Sequence, residues 1–151
     1  MMGVNKVRVK QLMILTCLCV IITGLVACGQ RDQVRPMMVG HDAVADQTNA
    51  DQAKQVIASM EEVVDVKGVS LEDKIYVAPQ VRHRSRFNLE GIRKEGFERI
   101  KKRHPDATVY FSTDKKIYME LEKLEQQLQK RTISKGRLKK RLGELEELMK
   151  G

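Results

Sequence analysis

The chain has 151 residues, with 28 Lys and Arg against 20 Asp and Glu, and carries a net charge of +8. This length favours one domain with appended segments, and the absence of Trp with only 4 % aromatic residues argues against a large aromatic substrate cleft. The composition also excludes a collagen-like chain, a disulfide scaffold and a wholly disordered chain, but it indicates no chemistry.

The N-terminal residues have the form of a lipoprotein signal peptide. Residues 1–10 contain three basic residues and no acid, and residues 11–27 contain no charge at all. A basic start, an apolar run and a small-residue end are typical of a secretory signal. The run ends in Ala27-Cys28, where a thiol can accept diacylglycerol and cleavage between Ala27 and Cys28 frees an amine for acylation. We therefore predict a signal peptide over residues 1–27, lipidation at Cys28 and no cofactor. The basic start places the remainder on the outer face of the membrane.

Two other interpretations of the apolar run stay open. It could remain as an uncut membrane helix, although seventeen residues are at the short limit for crossing about 30 Å of hydrocarbon. It could also be a buried core helix, in which Cys28 is one more cysteine of the run, like Cys17 and Cys19. If cleavage occurs, the mature chain keeps one acylated cysteine and can form no internal disulfide.

Residues 28–50 are polar and mixed, with Gly and Pro and no sustained period, which predicts a flexible tether. From Asp51 onward, apolar residues recur at helical spacing and predict a first helix. Residues 63–71 and 74–82 then predict a β-hairpin, because both are rich in β-branched residues and flank a polar turn. Pro79 cannot donate to a ladder, so we expect the second strand to be an edge near its end.

A second helix is predicted from Asn88 to His104, where Pro105 stops it. Residues 107–111 predict a third short strand, and we expect Ser112 or Thr113 to cap the next helix. The prediction for residues 51–131 is thus an α+β domain in the order α-β-β-α-β, with a three-stranded mixed sheet and helices on one face. We expect strand order 2-1-3 and a right-handed crossover. The predicted core is Val56, Ile57, Val66, Val69, Ile75, Val77, Ile92, Phe97, Ile100, Val109 and Phe111.

The C-terminal segment shows a heptad-like seam. Positions stepping by four and three are Ile117, Leu121, Leu124, Leu128, Arg131, Lys135, Leu138, Leu142, Leu145 and Met149. The two basic residues interrupt the seam next to Gly136, so one interpretation is a helix that packs on its own domain, a turn and a second amphipathic helix over residues 132–151. The other is a coiled coil, which would make the chain a structural scaffold that recruits a protein partner.

We find no catalytic constellation in the sequence. His41, His83 and His104 lie far apart, and none has a second histidine at the spacing that a helical zinc site needs. No nucleophile elbow, metalloprotease motif or phosphate-binding glycine loop is present. The sequence therefore predicts no enzyme and no metal. A hydrolase with an unfamiliar site stays open only if a deep pocket brings His83 or His104 to a carboxylate.

The clearest physical signal is a basic stretch over residues 82–104, which holds nine basic residues and three glutamates. The basic residues are Arg82, Arg84, Arg86, Arg93, Lys94, Arg99, Lys101, Lys102 and Arg103. We predict contact with anionic headgroups or a wall polymer, because each basic residue near such a surface contributes about 1 kcal/mol. A solvated helix face is the alternative. Nucleic acid is not predicted, since no stacking aromatics are interleaved with the charges.

The chain resembles the sporulation lipoprotein family of endospore-forming bacilli (YhcN/YlaJ type). The resemblance rests on the lipobox, which is the small-residue and cysteine sequence that ends in Ala27-Cys28, and on three further stretches. These are Ile57-Ala58-Ser59-Met60-Glu61-Glu62-Val63, Lys74-Ile75-Tyr76-Val77-Ala78 and Phe111-Ser112-Thr113-Asp114-Lys115-Lys116-Ile117. It implies an extracytoplasmic, membrane-anchored lipoprotein of the forespore or spore, and leaves a part in spore assembly or germination open. The element order is also similar to BON-type domains, which are associated with membrane binding. Only Cys28 transfers as a functional position.

Overall fold

The computed structural model describes residues 33–41 and 43–150. The predicted signal peptide, Ala27 and Cys28 lie outside these described residues. The elements are α1 (Thr48–Ala58), β1 (Val63–Leu71), β2 (Lys74–Val81), a 3-10 helix (His83–Asn88), α2 (Leu89–Arg103), β3 (Thr108–Phe111), α3 (Lys115–Gln129) and α4 (Lys135–Lys150). The predicted α+β class and element order are confirmed. The first helix begins three residues before Asp51, and residues 132–151 contain a helix of their own.

The sheet has the strand order β1-β2-β3, so the predicted order 2-1-3 is wrong. β1 pairs antiparallel with β2, and residues 74–77 of β2 pair in parallel with residues 108–111 of β3. β2 is central because residues 75–79 are buried on both faces, as a continuous apolar run requires. Pro79 pairs with Val66 of β1 and lies beyond the residues paired with β3, where its missing donor costs no ladder bond.

Helices α1 and α2 pack on one face of the sheet. Their apolar side chains, among them Ile57, Ile92 and Ile100, form a buried cluster with Val66 and Ile75 from the strands. Two helices on one face were predicted, and the periodic apolar stripes of these helices explain why they bury this side.

The C-terminal hairpin of α3 and α4 covers the opposite face. Leu121, Leu124 and Leu128 of α3 share a buried cluster with Leu138 and Leu142 of α4 and with β1 and β2 side chains. The heptad seam is therefore used inside the chain, as the first interpretation predicted. The turn between the helices contains Arg131 at φ 54°, a left-handed residue of the kind that ends many helices.

Two predicted core residues lie elsewhere. Val56 is half-buried, and Phe97 is 42 % exposed, because the buried stripe of α2 runs through Ile92, Gly96 and Ile100. The ring of Phe111 occupies the space beside Gly96, where an added Cβ would come within 2.5 Å of it. β3 thus approaches α2 closely only because residue 96 has no side chain.

Candidate membrane-contact surface

The three histidines do not form a site. His41 lies on an exposed loop, with Nδ1 3.1 Å from Asp46 Oδ2, and His83 is exposed in the 3-10 helix. His104 follows α2, and burial, helped by the charge of Arg103, lowers its pKa. Within residues 33–41 and 43–150, no group of three or more His, Cys, Asp or Glu side chains could hold a metal ion.

A buried ion pair joins α1 to α3 across the outer edge of β1. The side chains of Lys54 and Glu125 are both 0 % exposed, and Lys54 Nζ lies 2.8 Å from Glu125 Oε1. The backbone N–H of Gly68 donates to the same oxygen at 2.9 Å. Burial raises the pKa of Glu125, against the opposing effects of Lys54 and of the Gly68 N–H. Lys54 also lies 3.0 Å from Asp51 Oδ1.

This ion pair holds part of the predicted tether against the domain. We call residues 37–40 the docked segment. Lys54 Nζ donates to the carbonyl oxygen of Met37, and the N–H groups of Val39 and Gly40 donate to Asp51 Oδ2 at 3.1 and 2.8 Å. The docked segment therefore binds its own domain through charged side chains of α1, which sequence periodicity did not reveal.

The direction of this chain segment can be followed along β1. Nearest to α1, Gln47 exchanges two hydrogen bonds with the backbone of Ser70, at 2.8 and 2.9 Å. Farther toward the N-terminus, Met37 contacts Lys54, whose side chain crosses Gly68. Traced from Gln47 back to Met37, the chain therefore runs from the end of β1 toward the beginning of β1. The beginning of β1 lies beside the end of β2, since Val63 pairs with Val81.

A second ion cluster, around Glu146, attaches α4 to the first residues of β2. Glu146 lies 2.8 Å from both Lys74 Nζ and Lys150 Nζ and accepts a hydrogen bond from Tyr76 at 3.1 Å. The rings of Tyr76 and Tyr110 stack with centroids 4.8 Å apart. Hydrogen bonds from Lys150, which has the largest effect, and from Lys74 hold the pKa of Glu146 well below its ordinary value. The cluster explains how α4 is attached to β2.

The nine predicted contact residues fall into two groups, one at each end of α2. Since a helix rises about 1.5 Å per residue, Arg93 and Arg103 are separated by about 15 Å along the axis. In the second group, Arg99 pairs with Glu95 at 2.6 Å and Lys101 donates to the carbonyls of residues 105 and 107. These two cations are therefore engaged within the fold, while Lys102 is exposed.

The first group includes the sequence neighbours of an exposed aromatic ring. Phe87, in the 3-10 helix, is 97 % exposed, and Arg84 and Arg86 beside it are exposed as well. The 3-10 helix contains no buried residue. Arg82 donates to the carbonyl of Glu61 at 3.0 Å, which fixes the start of this helix to the turn after α1. Phe87 was not among the residues predicted to function, because it belongs to no periodic stripe.

A groove opens at the same end of the sheet. It encloses about 260 Å³, and its walls are largely apolar, formed by residues such as Val81, Leu89 and Tyr118, with Arg86 and Lys115 among its lining. Small-molecule pockets usually enclose about 300–1,000 Å³, so this groove is small for a substrate. It contains neither His83 nor His104 and no carboxylate side chain, so it is not the pocket that the hydrolase interpretation requires.

No helix within the described part of the chain is long and apolar enough to cross a membrane. No curated protein and no solved structure shows significant similarity to the sequence. The sequence does match a family model, described as "Sporulation lipoprotein YhcN/YlaJ", over residues 28–137. The match covers most of the chain, begins at Cys28 and includes the sheet, α1, α2 and α3. The chain therefore belongs to the YhcN/YlaJ family of sporulation lipoproteins.

Proposed function

We propose that this chain is a non-enzymatic lipoprotein that acts at a membrane surface of the forespore or spore, attached through diacylated Cys28. The observation that carries the proposal is the coincidence of two boundaries. The apolar run of the N-terminal sequence ends at Cys28, and the family match begins at the same residue. A mature chain that starts at an acylated cysteine accounts for both, and two or three acyl chains are enough for stable anchoring.

The chemistry of the domain supports a binding role over a catalytic one. The charged groups Lys54 and Glu125 pair with each other and are both fully buried, where no substrate reaches them. The exposed charges are mainly basic over residues 82–104. A catalytic site needs a nucleophile, base or metal held in a pocket, whereas contact with an anionic surface needs only exposed cations. The partner we propose is the anionic surface of the membrane or wall.

Replacement of Cys28 tests the lipid attachment. The tagged chain and its Cys28→Ser variant are produced in a sporulating bacillus with radiolabelled palmitate. The unmodified chain should appear at its mature size in the membrane fraction and carry the label. The Cys28→Ser variant should give no labelled mature form, and Cys19→Ser, a cysteine of the apolar run, should behave as the unmodified chain does. A mature-sized, membrane-bound Cys28→Ser product would contradict the proposal.

Imaging tests the place of action. A fluorescent fusion followed through sporulation should appear at the forespore boundary and then remain with the spore. A fusion that stays at the mother-cell membrane throughout would contradict the localisation and leave the lipid attachment standing.

A further inference from the structure

We propose that the 3-10 helix His83–Asn88 forms a second membrane contact, in which Phe87 enters the interface of an anionic bilayer while Arg84 and Arg86 bind lipid phosphates. This inference rests on the proposed function, because the bilayer in question is the one that carries the lipid anchor. It adds a defined contact surface, an orientation of the domain and a lipid class.

Exposure and charge at this end of the sheet both favour such a contact. A phenylalanine that is 97 % exposed leaves its whole ring in water, and burial of such a ring is strongly favourable. Between residues 82 and 94 the chain carries five basic side chains and a single acidic one, Glu90. An aromatic ring flanked by cations matches the interface of an anionic bilayer, which offers apolar chains below a layer of phosphates.

The groove beside the 3-10 helix also combines apolar surface with basic side chains. Arg86 and Lys115 are among its lining residues, and its walls are otherwise largely apolar. A volume of about 260 Å³ suits a headgroup phosphate and the first carbons of an acyl chain. The contact surface therefore has a ring to insert and a neighbouring recess with two cations, and both are complementary to an anionic phospholipid.

The path of the docked segment gives an independent reason for this orientation. Followed toward the N-terminus, residues 37–47 run toward the beginning of β1, which is the end of the sheet where β2 finishes and the 3-10 helix begins. Only eight residues separate Met37 from Cys28, and they span at most about 30 Å. The described chain thus runs toward the proposed contact, and a link of this length keeps an anchored domain near the bilayer.

The absence of Trp from the sequence makes a single-tryptophan reporter available. The full lipidated chain with Phe87→Trp is reconstituted into vesicles of phosphatidylcholine alone or mixed with phosphatidylglycerol. The matched control is Leu148→Trp, since Leu148 is 53 % exposed on α4, near the Glu146 cluster at the other end of β2. Because β2 spans about 25 Å, the control reporter stays in water if the domain is oriented as proposed.

We expect the emission of Phe87→Trp to shift to shorter wavelength in the phosphatidylglycerol vesicles and to be quenched at least twofold by brominated lipids. Leu148→Trp should show neither effect. Adding Arg84→Glu and Arg86→Glu to the Phe87→Trp chain should abolish the shift, whereas Lys102→Glu with Arg103→Glu, the same charge change at the other end of α2, should leave it.

Flotation of the vesicles separates the two proposals. If the chain floats with the vesicles but Phe87→Trp keeps its emission in water, the second contact is wrong and the anchor stands. The second contact is also wrong if Leu148→Trp is quenched equally, or if the Lys102 and Arg103 reversal removes the shift. If the lipidated chain does not float at all, the proposed anchoring itself is wrong.

Discussion

Replacing Lys54 with methionine removes a cation that lies between two buried carboxylates. Lys54 is 0 % exposed, and its Nζ lies 2.8 Å from Glu125 and 3.0 Å from Asp51. Methionine fills much of the same volume, so packing over Gly68 is largely kept and the main change is the loss of charge. Asp51 keeps its hydrogen bonds from the docked segment, but Glu125 retains only the Gly68 N–H and the more distant charge of Lys67.

The expected cost is large for a domain of this size. Removing one partner of a buried ion pair costs about 3–5 kcal/mol, because the other charge remains buried without compensation. With about 4 °C per kcal/mol for a domain of this length, the midpoint of thermal unfolding should fall by roughly 12–20 °C. The matched substitution Glu125→Gln should cost less, since the amide oxygen can still accept from Lys54 and Gly68 and Lys54 keeps Asp51.

The loss of stability in Lys54→Met should also depend on pH, in a direction that the structure predicts. In Lys54→Met, Glu125 loses the main cation that opposes the effect of burial, so its pKa in the folded state rises further above the ordinary value of 4.5. A group with a raised folded pKa stabilises the fold at low pH, and this stabilisation is lost as the pH rises through that pKa. Lys54→Met should therefore be closest to the unmodified domain near pH 5 and farthest from it near pH 8.

The assay is thermal unfolding followed by circular dichroism on the chain that begins at Gly29. We expect the double variant Lys54→Met with Glu125→Met to be more stable than Lys54→Met, since it no longer buries the Glu125 carboxylate without its paired cation. If Lys54→Met unfolds at the unmodified midpoint, or if its loss of stability does not depend on pH, the buried ion pair does not bind α1 to α3 as described.

Two further substitutions test the packing of α2 and the attachment of α4. Gly96→Ala should lower the free energy of unfolding by about 1–3 kcal/mol, because its methyl group would overlap the Phe111 ring. The control Gly143→Ala, which has open space around it, should raise the free energy of unfolding by about 1 kcal/mol. Equal effects of the two substitutions in urea unfolding would refute the close approach of β3 to α2. The Glu146 carboxylate has a depressed pKa in the folded state, so it stabilises the fold above its unfolded pKa and loses this effect as the pH falls. Below about pH 4.5, Glu146→Gln should therefore lose less stability on acidification than the unmodified chain does. Glu147→Gln, on the same helix, is the control, and an unchanged acid profile of Glu146→Gln would show that the α4 cluster does not form.

The sequence predicted local structure well because its elements are short and clearly bounded. His104-Pro105 ends α2 as expected, and the polar pair Glu72-Asp73 connects the hairpin. The strand order was missed because β2 needs cover on both faces, and Tyr76 and Ala78 are residues of its second face. Both are buried under α3 and α4, and burial of a strand on two faces depends on elements that lie far along the chain.

The site could be predicted only in part, for the same reason. Charge composition located the basic stretch, since net charge needs no knowledge of contacts. The pairing of Lys54 with Glu125, residues 71 positions apart, depends on how α1 and α3 meet at the edge of β1. Phe87 was missed because a single exposed ring leaves no periodic signal, while Phe97 was assigned to the core from a stripe that in the structure is centred on Gly96.

The mass of the mature N-terminus tests the central claim most directly. The protein purified from sporulating cells in detergent, digested and analysed by mass spectrometry, should yield an N-terminal peptide that begins at Cys28 and carries a diacylglyceryl group on the sulfur. An N-terminus at Met1, or an unmodified Cys28 in the membrane-bound protein, would contradict the account.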